Sequence, residues 1–327
     1  MTWGISKGLA APVQFGNRSA DIDAVRVVGI VAIVAGHIWT VGPFSDFLYA
    51  WHVPVFFLLT GYLWKPGRTV RGEMSRRART LIVPYALWLI IIAVAYCGSL
   101  LVDGKPFPSE QIRNALYGGS FAVRPFSAFW FVTVLFFVAV IYRALETTPV
   151  WVPWAVAAAG ILGAHAFGPA MAKSPLSLAL AFPCLTFLLA GTELRRLIPY
   201  ITKPLAVGLL LTLLGTVLAI TGVVAPVDMK GGDFGTPIAS VVNAVAISFG
   251  LILVARGTVP MLSAAWQKAL TALALVGFVV VLSHAFFLFV LDTPPTGGWI
   301  DLPVAIIVPW MVALGLARTR LRRWLIG

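Results

Sequence analysis

The chain has 327 residues, of which 60% are apolar and 11% charged, with a mean hydropathy of +0.94 and a net charge of +12. A soluble domain carries about 25% charged residues, so a soluble globular protein is excluded, and the many long apolar segments also exclude an outer-membrane barrel of short alternating strands. The positive balance does not point to nucleic acid, because the basic residues sit between apolar runs, where they set topology.

The first twenty-odd residues are mixed and Gly-rich with no apolar h-region, so no cleaved signal is expected. They read as a cytoplasmic segment, residues 1–24. Ten apolar runs follow, at 25–44, 50–64, 80–102, 128–144, 150–170, 176–194, 204–225, 237–255, 270–291 and 302–317. Each is near the ~20 residues a helix needs to cross the hydrocarbon core. The second is short, and Pro54 near its start suits a first helical turn. Residues 25–317 therefore read as an all-α, polytopic membrane bundle of about ten helices, and 318–327 as a basic cytoplasmic tail. With the N-terminus inside, nineteen Lys and Arg fall on the cytoplasmic side and five outside (Lys105, Arg113, Arg124, Lys173 and Lys230), a strong positive-inside signal that places both termini in the cytoplasm. Cys97 and Cys184 lie in apolar runs and read as packing residues. No metal site is expected.

The chemistry is concentrated early. In RVVGIVAIVAGHIW, Arg26 and His37 are 11 positions apart, which is three helical turns and about 20°, so both face one side with a rise of about 16 Å. Arg26 is expected at the cytoplasmic rim and His37 at mid-depth. An ionisable residue inside a membrane faces a cavity or a partner. The plainer alternative is a neutral histidine bonded between helices. Asp23, three before Arg26, fits a local ion pair or a group orienting Arg26. His52, at the start of the second span, fits loop packing or acceptor binding. Between spans, KPGRTVRGEMSRRARTLIVPY carries Lys65, Arg68, Arg71, Arg76, Arg77 and Arg79 against one acid, Glu73. Such a cluster sets topology and meets anionic lipid; it also suits a polyanionic ligand, since arginine binds phosphate bidentately. Trp130 fits an interfacial belt or a sugar-stacking platform, and His284 fits packing or a substrate contact.

These segments, taken in order, resemble the acyltransferase-3 family of membrane acyltransferases, in its sugar O-acetylase branch. The resemblance rests on Arg, ten residues, His in the first span; HVPVFFLLTGYLW; RRARTLIVPY with its Arg-x-x-Arg; FWFVTVLFF at 129–137; and LSHAFFLFV at 282–290. The late segment departs from the family in lacking a tyrosine-rich lead-in. The resemblance implies transfer of an acetyl or other short acyl group from cytoplasmic acetyl-CoA to a hydroxyl of an envelope glycan or glycolipid at the outer face. It implies His37 as general base, with Arg26 and Asp23 beside it, and CoA phosphates on Arg26, Arg68, Arg76 and Arg79. His52, Trp130 and His284 are candidates for the acceptor. Trp130 and Thr133 are candidate oxyanion donors. The expected partners are the bilayer, acetyl-CoA and the carbohydrate acceptor, and the expected location is the cytoplasmic (inner) membrane of a bacterium. Arginine exceeds lysine by 17 to 7, which fits a GC-rich bacterial genome. The competing reading is a multi-span transporter or flippase for a glycolipid or small metabolite, where mid-membrane ionisable residues also occur. A third is a non-catalytic partner that keeps the fold.

Overall fold

The computed structural model describes residues 19–326, so the expectations for residues 1–18 lie outside the described residues. Among the described residues there is no strand. The helices are α1 (Ala20–Ile38), α2 (Pro43–Tyr49), α3 (Pro54–Tyr62), α4 (Val70–Arg77), α5 (Val83–Val102), α6 (Ser109–Tyr117) and α7 (Phe129–Leu145). They continue with α8 (Trp151–Ala172), α9 (Ala181–Leu197), α10 (Pro204–Ile220), α11 (Ala239–Thr258), α12 (Ala264–Val290), α13 (Asp301–Leu316) and α14 (Arg322–Leu325). Five helical stretches are long and apolar enough to cross a membrane: Val70–Val102, Trp151–Ala172, Pro175–Tyr200, Ala239–Met261 and Ala264–Val290. The first joins α4 to α5 through a π-helical turn at Ala78–Ile82. Shorter apolar helices, α7, α10 and α13, stand at three more of the expected spans.

The two N-terminal spans differ most from the expectation. The first helix runs Ala20–Ile38, earlier at both ends than 25–44. Asp21 and Asp23 in its first turn favour a helix start, because carboxylates answer the unpaired N–H groups there. Trp39 is extended, Gly42 takes a positive φ of 91°, and Pro43 opens α2, so the helix stops well before 44. His37 thus sits in the last turn of α1. The expected span 50–64 is a turn followed by α3, only nine residues, about 13 Å of rise. That is less than half of a ~30 Å hydrocarbon core.

The short α3 is held by close packing on α9. A Cβ at Gly61 would fall 1.8 Å from the Leu188 carbonyl oxygen, and one at Gly191 would fall 2.0 Å from that of Leu58. The two backbones touch there, as small residues permit in membrane helices. Around this pair, α1 packs against α11 and α12, α10 against α11, α8 against α9, and α13 against α12. The tail does not trail away: the Leu325 carbonyl accepts a 2.9 Å hydrogen bond from Trp88 Nε1 of α5, and Ile326 joins a cavity wall.

Candidate active site

The first and twelfth helices meet at a histidine pair. His37 Nδ1 lies 2.7 Å from His284 Nε2, with ring centroids 4.8 Å apart. The protons follow from the partners. His284 Nδ1 is 3.0 Å from the Val280 carbonyl oxygen, which only accepts, so His284 carries its proton on Nδ1. Its Nε2 is then the acceptor, and His37 must donate from Nδ1. This leaves the lone pair of His37 on Nε2. His284 is fully buried, whereas His37 is part-exposed. A neutral imidazole with one nitrogen fixed as donor and the other open is the form a general base requires.

Arg124 fastens the helix ends above this pair. One guanidinium nitrogen donates to the His37 carbonyl, satisfying a terminal acceptor of α1, and another donates to the Thr293 carbonyl just after α12 at 2.7 Å. Burial lowers the Arg124 guanidinium somewhat from its ordinary value, with Asp301 opposing that shift. Lys230 donates to the Ala122 carbonyl at 2.6 Å in the same region. Its burial pulls the amine down from 10.5 to about 8, partly offset by Asp228. His52 is buried in the turn before α3, with its Nδ1 donating to the Leu48 carbonyl at 2.6 Å and its ring edge-on to Tyr49. Its Nε2 comes within 3.6 Å of where a Cβ on Gly36 would stand, one residue from His37.

At the other end of the bundle, a cavity of about 480 Å³ is lined by Arg26, Arg76 and Arg77 at a polar side and by Ile30, Phe56, Phe131, Phe278 and Val281 at an apolar side. Ile30 lies seven residues below His37 on α1, and Val281 three below His284 on α12. The inner wall therefore ends about 5–10 Å of helical rise from the histidine pair. Arg26 is held by the buried Asp23 at 2.8 Å. Arg76 and Arg77 are held by Glu73, which is fully buried and pairs with Arg76 at 2.8 Å, Arg77 at 2.9 Å, and Arg68 and Arg143 each at 3.3 Å. Arg143 also meets Glu146, donates to the Lys65 carbonyl, and lies over the Trp64 ring.

The structure thus joins His37 with His284 and Arg26 with Asp23, Arg76 and Arg77. It leaves others apart. Arg79 is exposed, donates to the Ser75 carbonyl at 3.2 Å, and does not line the cavity. Arg68 lines a separate 150 Å³ cleft beside Glu73. Trp130 is buried in the core. The Thr133 hydroxyl is 2.8 Å from the Trp130 carbonyl and 2.7 Å from that of Leu176, so its proton is engaged in backbone packing. The sequence places Arg77 only among six bases around the lone Glu73 and Arg124 only among the outer cations, and it gives Arg143, 70 residues from Glu73, no local signal at all. Among the described residues, no group of three or more His, Cys, Asp or Glu side chains is arranged to hold a metal ion.

Comparison with known proteins agrees with the motif reading. The family model described as an acyltransferase domain, that of the acyltransferase-3 family, matches residues 19–318. Searches among curated proteins and solved structures gave no match. The matched stretch contains the histidine pair, the basic cavity and every helix from α1 to α13, and the chain belongs to the acyltransferase-3 family.

Proposed function

We propose that this protein is a membrane O-acyltransferase that moves an acetyl or other short acyl group from acetyl-CoA to a hydroxyl of a cell-envelope glycan or glycolipid. The basic end of the bundle faces the cytoplasm of a bacterial cell and the histidine end faces outward. The observation that carries this reading is the open Nε2 of His37, fixed by His284 and set above a cavity with a cationic mouth.

The cavity suits a CoA thioester in its donor set. Arg26, Arg76 and Arg77 supply the charge that phosphates need. The apolar walls suit a narrow acyl-bearing arm and keep water from it. His37 Nε2 takes the proton of the acceptor hydroxyl as its oxygen bonds to the thioester carbonyl carbon. The C–S bond then breaks, and the same proton passes from His37 to the departing thiolate. His284 holds the imidazolium through its Nε2, and Arg124 holds the helix ends that carry both rings. Asp23 orients Arg26. His52 lies near His37 on the outer side, suited to an acceptor hydroxyl.

The test is radiolabelled acetyl-CoA supplied to membranes containing the protein. The reading expects label in a glycan or glycolipid fraction, released by mild base as an ester. Label that stays in acetyl-CoA, with all envelope fractions present, would overturn it.

A further inference from the structure

A second cleft opens at the basic end of the bundle. It encloses about 300 Å³ and is lined by Lys65, Arg195, Arg256, Tyr62 and Trp64, among others. Its three cations come from three places: the turn after α3, the end of α9 and the end of α11. They are poorly answered. Among the described residues Lys65 has no carboxylate partner, and Arg195 donates only to the Trp64 carbonyl, at 3.1 Å. Arg256 stands 3.7 Å from Asp21 and 3.4 Å from the Tyr62 hydroxyl, both long for a charged bond. One carboxylate therefore faces three cations. The neighbouring 560 Å³ cleft shares Arg195 with it, but its other arginine, Arg196, is met by both oxygens of Glu193 at 2.8 and 3.0 Å.

The under-answered cleft adjoins the proposed donor cavity. Leu63 lines both. Leu63, Trp64 and Lys65 also wall the small cleft beside Glu73, whose Arg76 and Arg77 reach the donor cavity. The 63–65 turn is thus a ridge with a cationic site on each side. A ligand spanning it carries two separate phosphate groups on one flexible frame. Coenzyme A is such a molecule: a pyrophosphate near the pantetheine arm and a phosphomonoester on the ribose 3′ oxygen.

We propose that the Lys65–Arg195–Arg256 cleft is the subsite for the ribose 3′-phosphate of the acyl donor. This rests on the acyltransferase reading. Two arginines and a lysine suit a phosphomonoester dianion, with more acceptor oxygens than a diester and a higher charge. An anionic-lipid headgroup offers the same phosphate chemistry, and the experiment separates the two.

The full-length protein in neutral detergent is titrated with CoA and with 3′-dephospho-CoA, as wild type, as the double variant R195Q/R256Q, and as Lys65→Gln, whose side chain holds no partner that folding needs. Wild type is expected to bind dephospho-CoA about tenfold or more weakly than CoA, the loss expected for charged hydrogen bonds. The double variant is expected to bind both equally, at the wild-type dephospho-CoA affinity, and Lys65→Gln to lose part of the discrimination. Discrimination that survives in all the variants, or that wild type never shows while still binding CoA, overturns the subsite and leaves the acyltransferase reading standing. Equal binding of both nucleotides, together with phosphatidylglycerol retention that R195Q/R256Q abolishes, assigns the cleft to lipid and also overturns it. No binding of either nucleotide by folded wild type overturns both.

Discussion

His37 Nδ1–H donates a hydrogen bond to His284 Nε2, and His284 Nδ1–H donates one to the Val280 carbonyl, so a single backbone acceptor sets which nitrogen of His37 is free. His284→Ala removes the acceptor and lets His37 sample both tautomers. We expect kcat to fall, by up to the ~10²-fold scale of general acid–base assistance, with little change in KM for acetyl-CoA. His284→Gln, whose amide oxygen can still accept from Nδ1, is expected to recover part of the loss. An equal effect of both variants, or a rise in KM alone, would move His284 from positioning His37 to binding. Lys230 makes a second prediction. Its amine titrates near 8 in the folded protein and near 10.5 when unfolded, so between those values the unfolded state binds more protons and stability rises with pH. Below about 8 the charged buried amine is a constant burden. The Tm of Lys230→Met minus that of wild type should therefore shrink as pH is raised from about 7 to about 10. A flat difference would show that the amine is not held low. At this scale the sequence was informative about kind and poor about partners. The Arg26–His37 spacing fixed a shared face, and the 3.6-residue period sufficed for that. The His37–His284 contact joins residues 247 positions apart, and no local pattern encodes it.

The α4 segment is organised by one acid. Glu73 is fully buried and meets four arginines, two of them, Arg77 and Arg143, largely or wholly buried themselves. Removing one partner from a buried ionic cluster leaves uncompensated charge and costs about 3–5 kcal/mol. Glu73→Gln is therefore expected to lower the unfolding midpoint sharply and to weaken CoA binding, because Arg76 and Arg77 lose their anchor. Loss of CoA binding without loss of stability would mean that Glu73 acts on the ligand alone. The sequence showed Glu73 as a minor offset in a basic loop; burial turns it into the hub. The same scale accounts for the shortness of α3 within the expected span 50–64. Its apolar residues were legible, but its length is set by Pro54 at one end and by the Gly61 and Gly191 approach to α9, which is a tertiary fact. The π-turn at Ala78–Ile82 has no sequence mark that we can name.

For the whole molecule, the bundle has two chemically distinct ends. Arg26, Lys65, Arg68, Arg76, Arg77, Arg143, Arg195 and Arg256 gather at one, and the histidine pair with Arg124 and Lys230 lies towards the other. Under the positive-inside rule we propose that the first faces the cytoplasm. In a background lacking Cys97 and Cys184, a cysteine at Asp103, which is exposed, should react with an impermeant thiol reagent added to intact cells, and one at Arg71 only after lysis. The reverse pattern would invert the topology and place the donor cavity outside. The helical membrane class was legible from composition alone, since 11% charge leaves few alternatives. The clefts at the basic end were not, because each is built from turns and helix ends far apart in the chain.

We propose His37 as the base of an acyl transfer fed from the basic cavity. Acetyl-CoA binding and CoA release by purified protein given an envelope-lipid extract, wild type against His37→Ala, tests this. Equal acetyl-CoA affinity for the two proteins and acceptor-dependent release by wild type only are expected. Undiminished release from folded His37→Ala would contradict it.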